Sequence, residues 1–433
     1  MFEFNENNEV TDKHVYRAIL VGVSFGEDIT ASMEELEGLA EAADVEILGQ
    51  MIQARERPDT ATYIGKGKVE ELAEICSNLG ANTVIFNNEL SGMQLRNLED
   101  AVGVTVLDRT ILILDIFADR ATSSVGKLQV EYAQLRYRLP RLMGFGRSLS
   151  RTGGGIGTRG PGEKKLETDR RHIQSRMDEI KREIKEAQRS REVQRSRREK
   201  SEIPVVSLVG YTNAGKSAIM NALLRGNDRE DKSVFEKDML FATLDVSQRR
   251  IKLDSNHEFI LADTVGFVSK LPHSLVEAFK STLEEVTYSD LLLHVVDVSA
   301  DDCEFNMNVT YSVLREIGAG DIPCVTVFNK TDKLDDPSRI PLVDGESITI
   351  SAKYGDNIDA LKEVIRKNIF SHLRQAKLLI PYDKGSVSSY LMEKCNVGRV
   401  EYAGSGTYIE AELDPADYNR LSEYLVDDLE SVE

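Results

Sequence analysis

The stretch VVSLVGYTNAGKSAIMNALL, residues 205–224, decides the fold. A short β-branched run, VVSLV, stops at Gly210, and GYTNAGKS (210–217) then leads into SAIMNALL, a helix-forming segment. This is the G-x-x-x-x-G-K-[ST] string in the strand–loop–helix setting that a phosphate loop requires. Its glycines let successive backbone N–H groups curl around a phosphate, and the positive end of the helix dipole adds to the field. Lys216 can reach the β- and γ-phosphates, and the Ser217 hydroxyl can ligate magnesium.

Three downstream strings extend the reading. NKTD (329–332) ends the apolar run PCVTVF, and its Asp332 can accept from both N1–H and the 2-amino group of guanine. Adenine has neither donor and would leave a buried carboxylate unpaired. Asn329 would brace the loop and face the base, the Lys330 stem can lie over the ring, and SAK (351–353) supplies N–H groups for the guanine O6. DTVG (263–266) places Asp263 behind the magnesium and the Gly266 N–H on the γ-phosphate. FATLD (241–245) offers Thr243 as a second magnesium ligand in the triphosphate state. Loss of the γ-phosphate would release Gly266 and Thr243, an order–disorder switch. Lys216, Thr243 and Gly266 are thus the catalytic candidates. Phe267 stands where many GTPases carry a water-orienting glutamine, so unassisted hydrolysis is expected at about 10⁻⁴ s⁻¹ or below. For Asn213 two readings stay open: its amide oxygen holds a monovalent cation, potassium, beside the phosphates, or it only braces the loop.

Outward from this core, 203–353 alternates apolar strands with helices, the pattern of an α/β unit. Residues 17–108 do the same on a smaller scale: AILVGVSF, VEILGQMI, NTVIFN and GVTVLD read as strands. ITASMEELEGLAEAA and KVEELAEICSNLG read as helices, the second capped at Gly80. Beyond Pro381, a helix (SSYLMEKC), a hairpin (VGRVEYAG, TYIEAEL) and a helix ending LSEYLVDDL suggest a small α+β appendage. Between the two α/β units, Val125, Leu128, Tyr132, Leu135, Leu139 and Leu142 form one heptad seam. Ile173, Met177, Ile180, Ile184 and Ala187 form another, together implying an antiparallel helical hairpin. The expected fold class is α/β, with an N-terminal α/β domain (1–110), a basic helical hairpin (111–200), a P-loop GTPase domain (201–373) and a small acidic α+β domain (374–433).

Charge is unevenly spread. The 433 residues carry a net −19, yet residues 136–200 hold 20 Lys/Arg against 9 Asp/Glu, while 1–50 hold 2 against 12. Joining the two seams, GFGRSLSRTGGGIGTRGPG (144–162) contains eight glycines, Arg147, Arg151 and Arg159, and no acid. Glycine allows close backbone approach, and arginine supplies forked donors for phosphate and base stacking. These three arginines are the candidate RNA contacts. The four cysteines show no metal-ligand spacing, no apolar run approaches the ~18 residues of a membrane span, and the acidic start has no signal-peptide pattern. A reducing cytoplasm, no stable membrane insertion and action as a monomer are expected.

The run DTVGFVSKLPHSLVEAFKSTLEEV (263–286) resembles the switch-II signature of the HflX GTPases, in the Obg/HflX-like branch of translation-associated GTPases. GGGIGTRGPGEKKLETDRR (153–171), DRTILILDIFADRATSSVGKLQVEYAQLRYRLPRL (108–142) and TYIGKGKVEEL (62–72) are similar to that family's N-terminal half. The resemblance runs from about 15 to 375. It implies guanine-nucleotide contacts at Gly210, Tyr211, Thr212, Asn213, Ala214, Gly215, Lys216 and Ser217, at Phe241, Ala242, Thr243, Leu244 and Asp245, and at Asp263, Thr264, Val265 and Gly266. On the base side it implies Asn329, Lys330, Thr331, Asp332, Ser351, Ala352 and Lys353. Magnesium falls on Ser217 and Thr243. It further implies GTP hydrolysis stimulated by the large ribosomal subunit, ribosomal RNA as partner of the hairpin, and a role in splitting or rescuing ribosomes under stress or in subunit maturation. The alternative is an RNA-remodelling or RNA-chaperone protein with an ATP-linked N-terminal domain and a regulatory G domain. The local hint for it is GKGK (65–68), which lacks phosphate-loop spacing.

Overall fold

The computed structural model describes residues 16–142, 161–199, 203–225, 247–253, 257–264, 266–269, 279, 283–334 and 336–426, with side chains of 161–199 described over 167–189. The glycine-rich loop with Arg147, Arg151 and Arg159, the whole of 241–245, and Val265 lie outside them. Contacts divide the chain into two compact units, one of Met1–Ser190, Asp238–Leu244 and Ser269–Lys280, the other of Arg191–Lys237, Asp245–Val268 and Ser281–Glu433.

In the first unit β1 (Arg17–Ser24), β2 (Glu46–Ala54), β3 (Thr83–Phe86) and β4 (Thr105–Asp108) make a wholly parallel sheet in the order β2-β1-β3-β4. Parallel neighbours need crossovers, supplied by α1 (Thr30–Ala42), α2 (Lys66–Leu79) and α3 (Gly92–Val102). Residues Ala18–Val23 are buried without alternation, as expected of a central strand covered on both faces. Gly80 caps α2 in the left-handed region, its N–H on the Cys76 carbonyl. Helix α3 was not anticipated, although Ser91-x-x-Gln94 is a reciprocal capping box that announces it.

α4 (Arg109–Arg120) and α5 (Ser124–Leu142) follow directly. Asp108, fully buried, fastens them to the sheet. Its carboxylate accepts from the N–H groups of Leu90 and Ile111, each at 3.0 Å, and from the Tyr137 hydroxyl, and it faces Arg141 at 3.5 Å. Burial pushes its pKa up in spite of these partners. The predicted seam of α5 is only partly the buried one. Tyr132 is buried, but so are Val130, Ala133 and Tyr137, while Val125, Leu128, Leu135 and Leu139 are half-buried. The heptad reading assumed a single partner, whereas α5 meets α3 and α4 as well. On α6 (Pro161–Glu199) the seam is as expected: Met177 and Ile180 are buried and Ile173, Ile184 and Ala187 half-buried. Arg176 binds Glu131 of α5 through Nε and Nη2 at 2.8 and 2.9 Å.

In the second unit the strands are β5 (Val205–Gly210), β6 (Ser247–Lys252), β7 (Glu258–Asp263), β8 (Leu291–Asp297), β9 (Cys324–Asn329) and β10 (Ser347–Thr349). They lie in the order β10-β9-β8-β5-β7-β6, parallel except for β6 against β7. Helices α7 (Lys216–Leu224), α8 (Cys303–Glu316) and α9 (Ile358–Ile369) cover it. Leu208, Ile219, Leu261, Leu293, Val327 and Leu361 are buried in one core, each worth about 1.5–3 kcal/mol on folding. A three-stranded antiparallel sheet follows, β11 (Arg374–Ile380), β13 (Gly406–Leu413) and β12 (Asn396–Ala403) in that order, with α10 (Gly385–Lys394) and α11 (Pro415–Arg420). The sequence reading missed β11, whose alternating Ala376, Leu378 and Ile380 are buried. It also ran the last helix too far: α11 stops at Arg420, and Ser422–Tyr424 form a separate 3₁₀ turn.

Candidate nucleotide site

The described residues of the strings 210–217, 263–266, 329–332 and 351–353 meet at the carboxyl end of the second unit's sheet, where ligands of open parallel sheets bind. β5 delivers the loop 210–217. Gly210 has φ +150°, and a Cβ there would lie 2.2 Å from the Val295 carbonyl oxygen. Gly215 has φ +94°, and its Cβ would lie 2.2 Å from Asn329 Nδ2. Asn213 also takes a positive φ, +58°. Only a bare backbone fits at the two glycines, because β8 and β9 are packed directly beneath.

Lys216 opens α7 and folds back over its own loop, donating to the carbonyls of Gly210 at 3.0 Å and Tyr211 at 2.8 Å. Burial lowers its pKa to about 8, and the nearby Asp263 carboxylate offsets part of that fall. His294 on β8 is buried close by; burial, and then the charge of Lys216, lower its pKa to about 4. It is therefore neutral at pH 7 and adds no second cation behind the loop. Ser217 Oγ donates to Asp263 Oδ2 at 2.7 Å, which puts a hydroxyl and a fully buried carboxylate side by side. Two hard oxygen donors in contact suit a small divalent cation.

After β7, Thr264 donates its hydroxyl to the Leu208 carbonyl at 2.6 Å. Gly266 lies against the loop: a Cβ there would be 2.8 Å from Thr212 Cα and 3.1 Å from Lys216 Nζ. Phe267, fully buried, pairs with the loop through its backbone. Its carbonyl accepts from Thr212 N–H at 2.7 Å, and its own N–H donates to the Gly210 carbonyl at 3.2 Å. A ring so placed can orient no water, in agreement with the sequence reading.

Asn329 joins three strings. Its Nδ2 donates to the Ala214 carbonyl at 2.9 Å, and its Oδ1 accepts from Ala352 N–H at 3.0 Å. Lys330, left-handed at φ +63°, points its ammonium at Asp297 Oδ2, 2.8 Å away, a partner not anticipated from sequence. Thr331 donates its hydroxyl to the Ile350 carbonyl. Asp332 is exposed, with Oδ1 accepting from the buried Ser351 hydroxyl at 2.6 Å; Lys353 is exposed beside Tyr354. The strings thus bring together a curled loop with one ammonium folded over it, a hydroxyl–carboxylate oxygen pair beside it, and the exposed carboxylate of Asp332. A cavity of about 1110 Å³ elsewhere in this unit shares no residue with these strings. Its lining includes Glu258, Glu285, Asp290, Glu393 and Asp414, the wrong sign for a polyphosphate. Among the described residues, no helix is long and apolar enough to cross a membrane, and no group of three or more His, Cys, Asp and Glu is placed to hold a metal.

Comparison with known proteins agrees with this arrangement. Residues 30–118 match the model of the GTP-binding GTPase N-terminal family, 120–198 that of the GTP-binding GTPase middle region, and 205–330 that of the 50S ribosome-binding GTPase family. The chain is 48% identical over 410 residues to the GTPase HflX of Caldanaerobacter subterraneus subsp. tengcongensis, covering 95% of this chain and 94% of that one. It is 39% identical over 414 residues to the GTPase HflX of Escherichia coli, covering 94% and 95%. Among solved structures, a GTP-binding protein from Sulfolobus solfataricus in complex with GDP is similar at 24% identity and a TM-score of 0.44, covering 82% of this chain and 99% of that one, a likeness too loose to argue from. The first two relatives span nearly the whole chain at well above 30% identity. The chain belongs to the HflX family of GTPases, enzymes that bind and hydrolyse GTP.

Proposed function

We propose that this GTPase works on the large ribosomal subunit in the cytoplasm, using GTP to time its hold on ribosomal RNA and acting in ribosome splitting and rescue or in subunit biogenesis. The observation that carries the reading is the make-up of α6. Met177 and Ile180 are its buried face, while Arg170, Arg171, Lys181, Arg182, Lys185 and Arg189 are exposed. A helix with so many exposed cations, in a chain of net charge −19, suits a polyanion. The 50S ribosome-binding description of the family matched by residues 205–330 points the same way. Arg147, Arg151 and Arg159, in the glycine-rich sequence that joins the two seams, would make the closest RNA contacts.

In this reading the N–H groups of 210–217 cradle the phosphates, Lys216 neutralises charge between the β- and γ-phosphates, and Gly266 N–H binds the γ-phosphate. Asp332 reads the guanine edge, Asn329 holds the three strings in register, and the Ala352 region faces O6. Ser217 and Thr243 would ligate magnesium, with Asp263 behind; bound there, the ion neutralises charge developing on the phosphates. Phe267 supplies no water-orienting group, so the subunit is required for fast turnover. A 10⁵-fold stimulation would correspond to about 7 kcal/mol of barrier.

Sedimentation of ribosomes with the full-length protein and a non-hydrolysable GTP analogue tests the proposal. The protein is expected to travel with the large subunit in the presence of the analogue and to leave it with GDP. Purified large subunits should raise GTP turnover by orders of magnitude. Protein that stays at the top of the gradient, with turnover unchanged, would overturn the reading.

A further inference from the structure

Every residue of NKTD (329–332) is tied down within the second unit. Asn329 bonds Ala214 and Ala352, Thr331 donates its hydroxyl to the Ile350 carbonyl at 3.0 Å, and Asp332 accepts from Ser351. Lys330 carries the long side chain, on a backbone at φ +63° and ψ 32° that residues with a Cβ seldom adopt. Its ammonium meets Asp297 Oδ2 at 2.8 Å, with the two side chains only 16% and 22% exposed.

Asp297 is itself fixed. It ends β8 opposite Asn329 of β9, and the N–H of Val298 donates to the Asn329 carbonyl at 3.2 Å. Its Oδ1 accepts from the N–H of Ser299 at 3.0 Å and from the Ser299 hydroxyl at 2.6 Å, which leaves Oδ2 for the lysine. The ion pair therefore spans the ends of two neighbouring strands, one of which delivers NKTD. A lone ion pair near the surface adds little to stability. Its effect here is on the four-carbon stem, which gives up to Asp297 the rotamer freedom that a ligand would otherwise have to remove.

We infer that Asp297 is a positioning residue for guanine-nucleotide binding: by anchoring the Lys330 ammonium it lays the lysine stem where a face of the purine ring comes to rest. The inference rests on the reading of NKTD as the base site. Base and ribose are common to GTP and GDP, so the anchor favours both nucleotides to the same degree, unlike a group that reads the γ-phosphate.

The test uses the full chain with fluorescent GDP and a fluorescent non-hydrolysable GTP analogue. Asp297→Asn keeps an oxygen for Ser299 and turns an amide NH₂ towards the ammonium. It is expected to weaken both nucleotides equally, by about tenfold, the scale of ordering one long side chain on binding. Lys330→Met keeps the stem and removes its anchored end. It should lose the same factor, and the double variant should lose no more than either single one, whereas an Asp297 that only holds structure would give losses that multiply. Asp332→Asn is measured alongside. If it leaves the preference for guanine over xanthine nucleotides unchanged, the base-site reading fails and the inference with it. If Asp332→Asn acts as expected while Asp297→Asn leaves GDP affinity unchanged, separates the two nucleotides, or multiplies with Lys330→Met, the positioning role alone is overturned. Should Asp297→Asn fail to fold, Ser299→Ala takes its place, since it removes the hydroxyl that fixes Asp297. It should weaken GDP about threefold in the parent, the scale of one hydrogen bond, and not at all beside Lys330→Met; an equal loss in both would sink the inference.

Discussion

Two short strings in this chain pair glycine with lysine at the start of a helix, and their backbones and lysines are arranged in opposite ways. GKGK (65–68) opens α2, and GYTNAGKS (210–217) opens α7. In the first, Gly65 caps the helix with ordinary extended dihedrals and spends its N–H on the Gln53 side chain at 3.0 Å, while Lys68 turns outward to Glu71 at 2.7 Å. In the second, positive φ values at Gly210, Asn213 and Gly215 curl the backbone, and the lysine folds inward over the loop. A phosphate site thus needs several peptide N–H groups turned to one point, and a composition of glycine and lysine supplies none of that by itself. Four residues between the glycines allow the curl; one does not.

The sharpest way to break the comparison is to remove the inward lysine. Lys216→Ala is expected to weaken GTP binding about 10³-fold and to abolish turnover, the scale seen when a group that stabilises developing charge is deleted. Because burial opposes the charged form of Lys216 in the free protein, the alanine protein should melt no earlier than the parent. A fluorescent-nucleotide titration and a thermal melt on the same sample check both halves. A melt lowered in step with binding would mean that the lysine is structural. Asp332→Asn comes next. GTP binding should fall about 10²-fold, because a carboxylate that accepts two donors becomes an amide that repels one of them, and xanthine nucleotides should gain correspondingly. Unchanged GTP affinity would contradict the base assignment.

What could be read beforehand follows the same division. GYTNAGKS, DTVG, NKTD and SAK were legible because each compresses its chemistry into a few consecutive residues after a strand, and the structure brings them together through Asn329 and the Ser217–Asp263 contact. The hold of Glu35 and Arg109 on Ser269, all three in the first unit, was not legible. Glu35 and Ser269 are 234 residues apart, Arg109 lies between them in sequence, and no local pattern links the three. The same holds for Lys330 with Asp297, and for the twofold packing of α5, where the 3,4 spacing of leucines gave the period but not the number of partners. Strand β11 was missed for another reason: the polar Gln375 and Lys377 interrupt its apolar residues, and no turn signal sets the run apart from what precedes it.

A smaller effect is expected from the buried charges of the first unit, which hold structure rather than ligand. Burial pushes Asp115 on α4 up to about 6, with Arg138 opposing and Asp119 adding to the shift. A carboxyl whose folded pKa exceeds its unfolded value binds its proton more tightly when folded, so its contribution to stability is complete below about pH 4 and is lost as pH rises to about 6. Asp115→Asn should therefore stabilise the protein at pH 7.5 by at most about 3 kcal/mol and much less near pH 4.5, with GTP affinity unaffected. Urea unfolding at the two pH values checks it, and an equal gain at both would refute the assignment.

The smallest effect belongs to the outward lysine. Lys68→Ala removes an i,i+3 pair with Glu71, whose side chain is half exposed, and such pairs contribute about 0.3–0.5 kcal/mol. Guanine-nucleotide affinity should stay within about twofold of the parent, because Lys68 pairs with Glu71 and lies in none of the strings 210–217, 263–266, 329–332 and 351–353. ATP affinity should not change either, since the loop that would receive its phosphates has the Gly65 N–H engaged by Gln53 and no run of free, convergent donors is formed by one glycine between two lysines. Equilibrium dialysis with both nucleotides on the parent and on Lys68→Ala measures this directly. Specific ATP binding by the parent that Lys68→Ala abolishes would show that a glycine–lysine turn can gather phosphate without the curl of 210–217. The two strings would then differ in nucleotide, and not in whether they form a site.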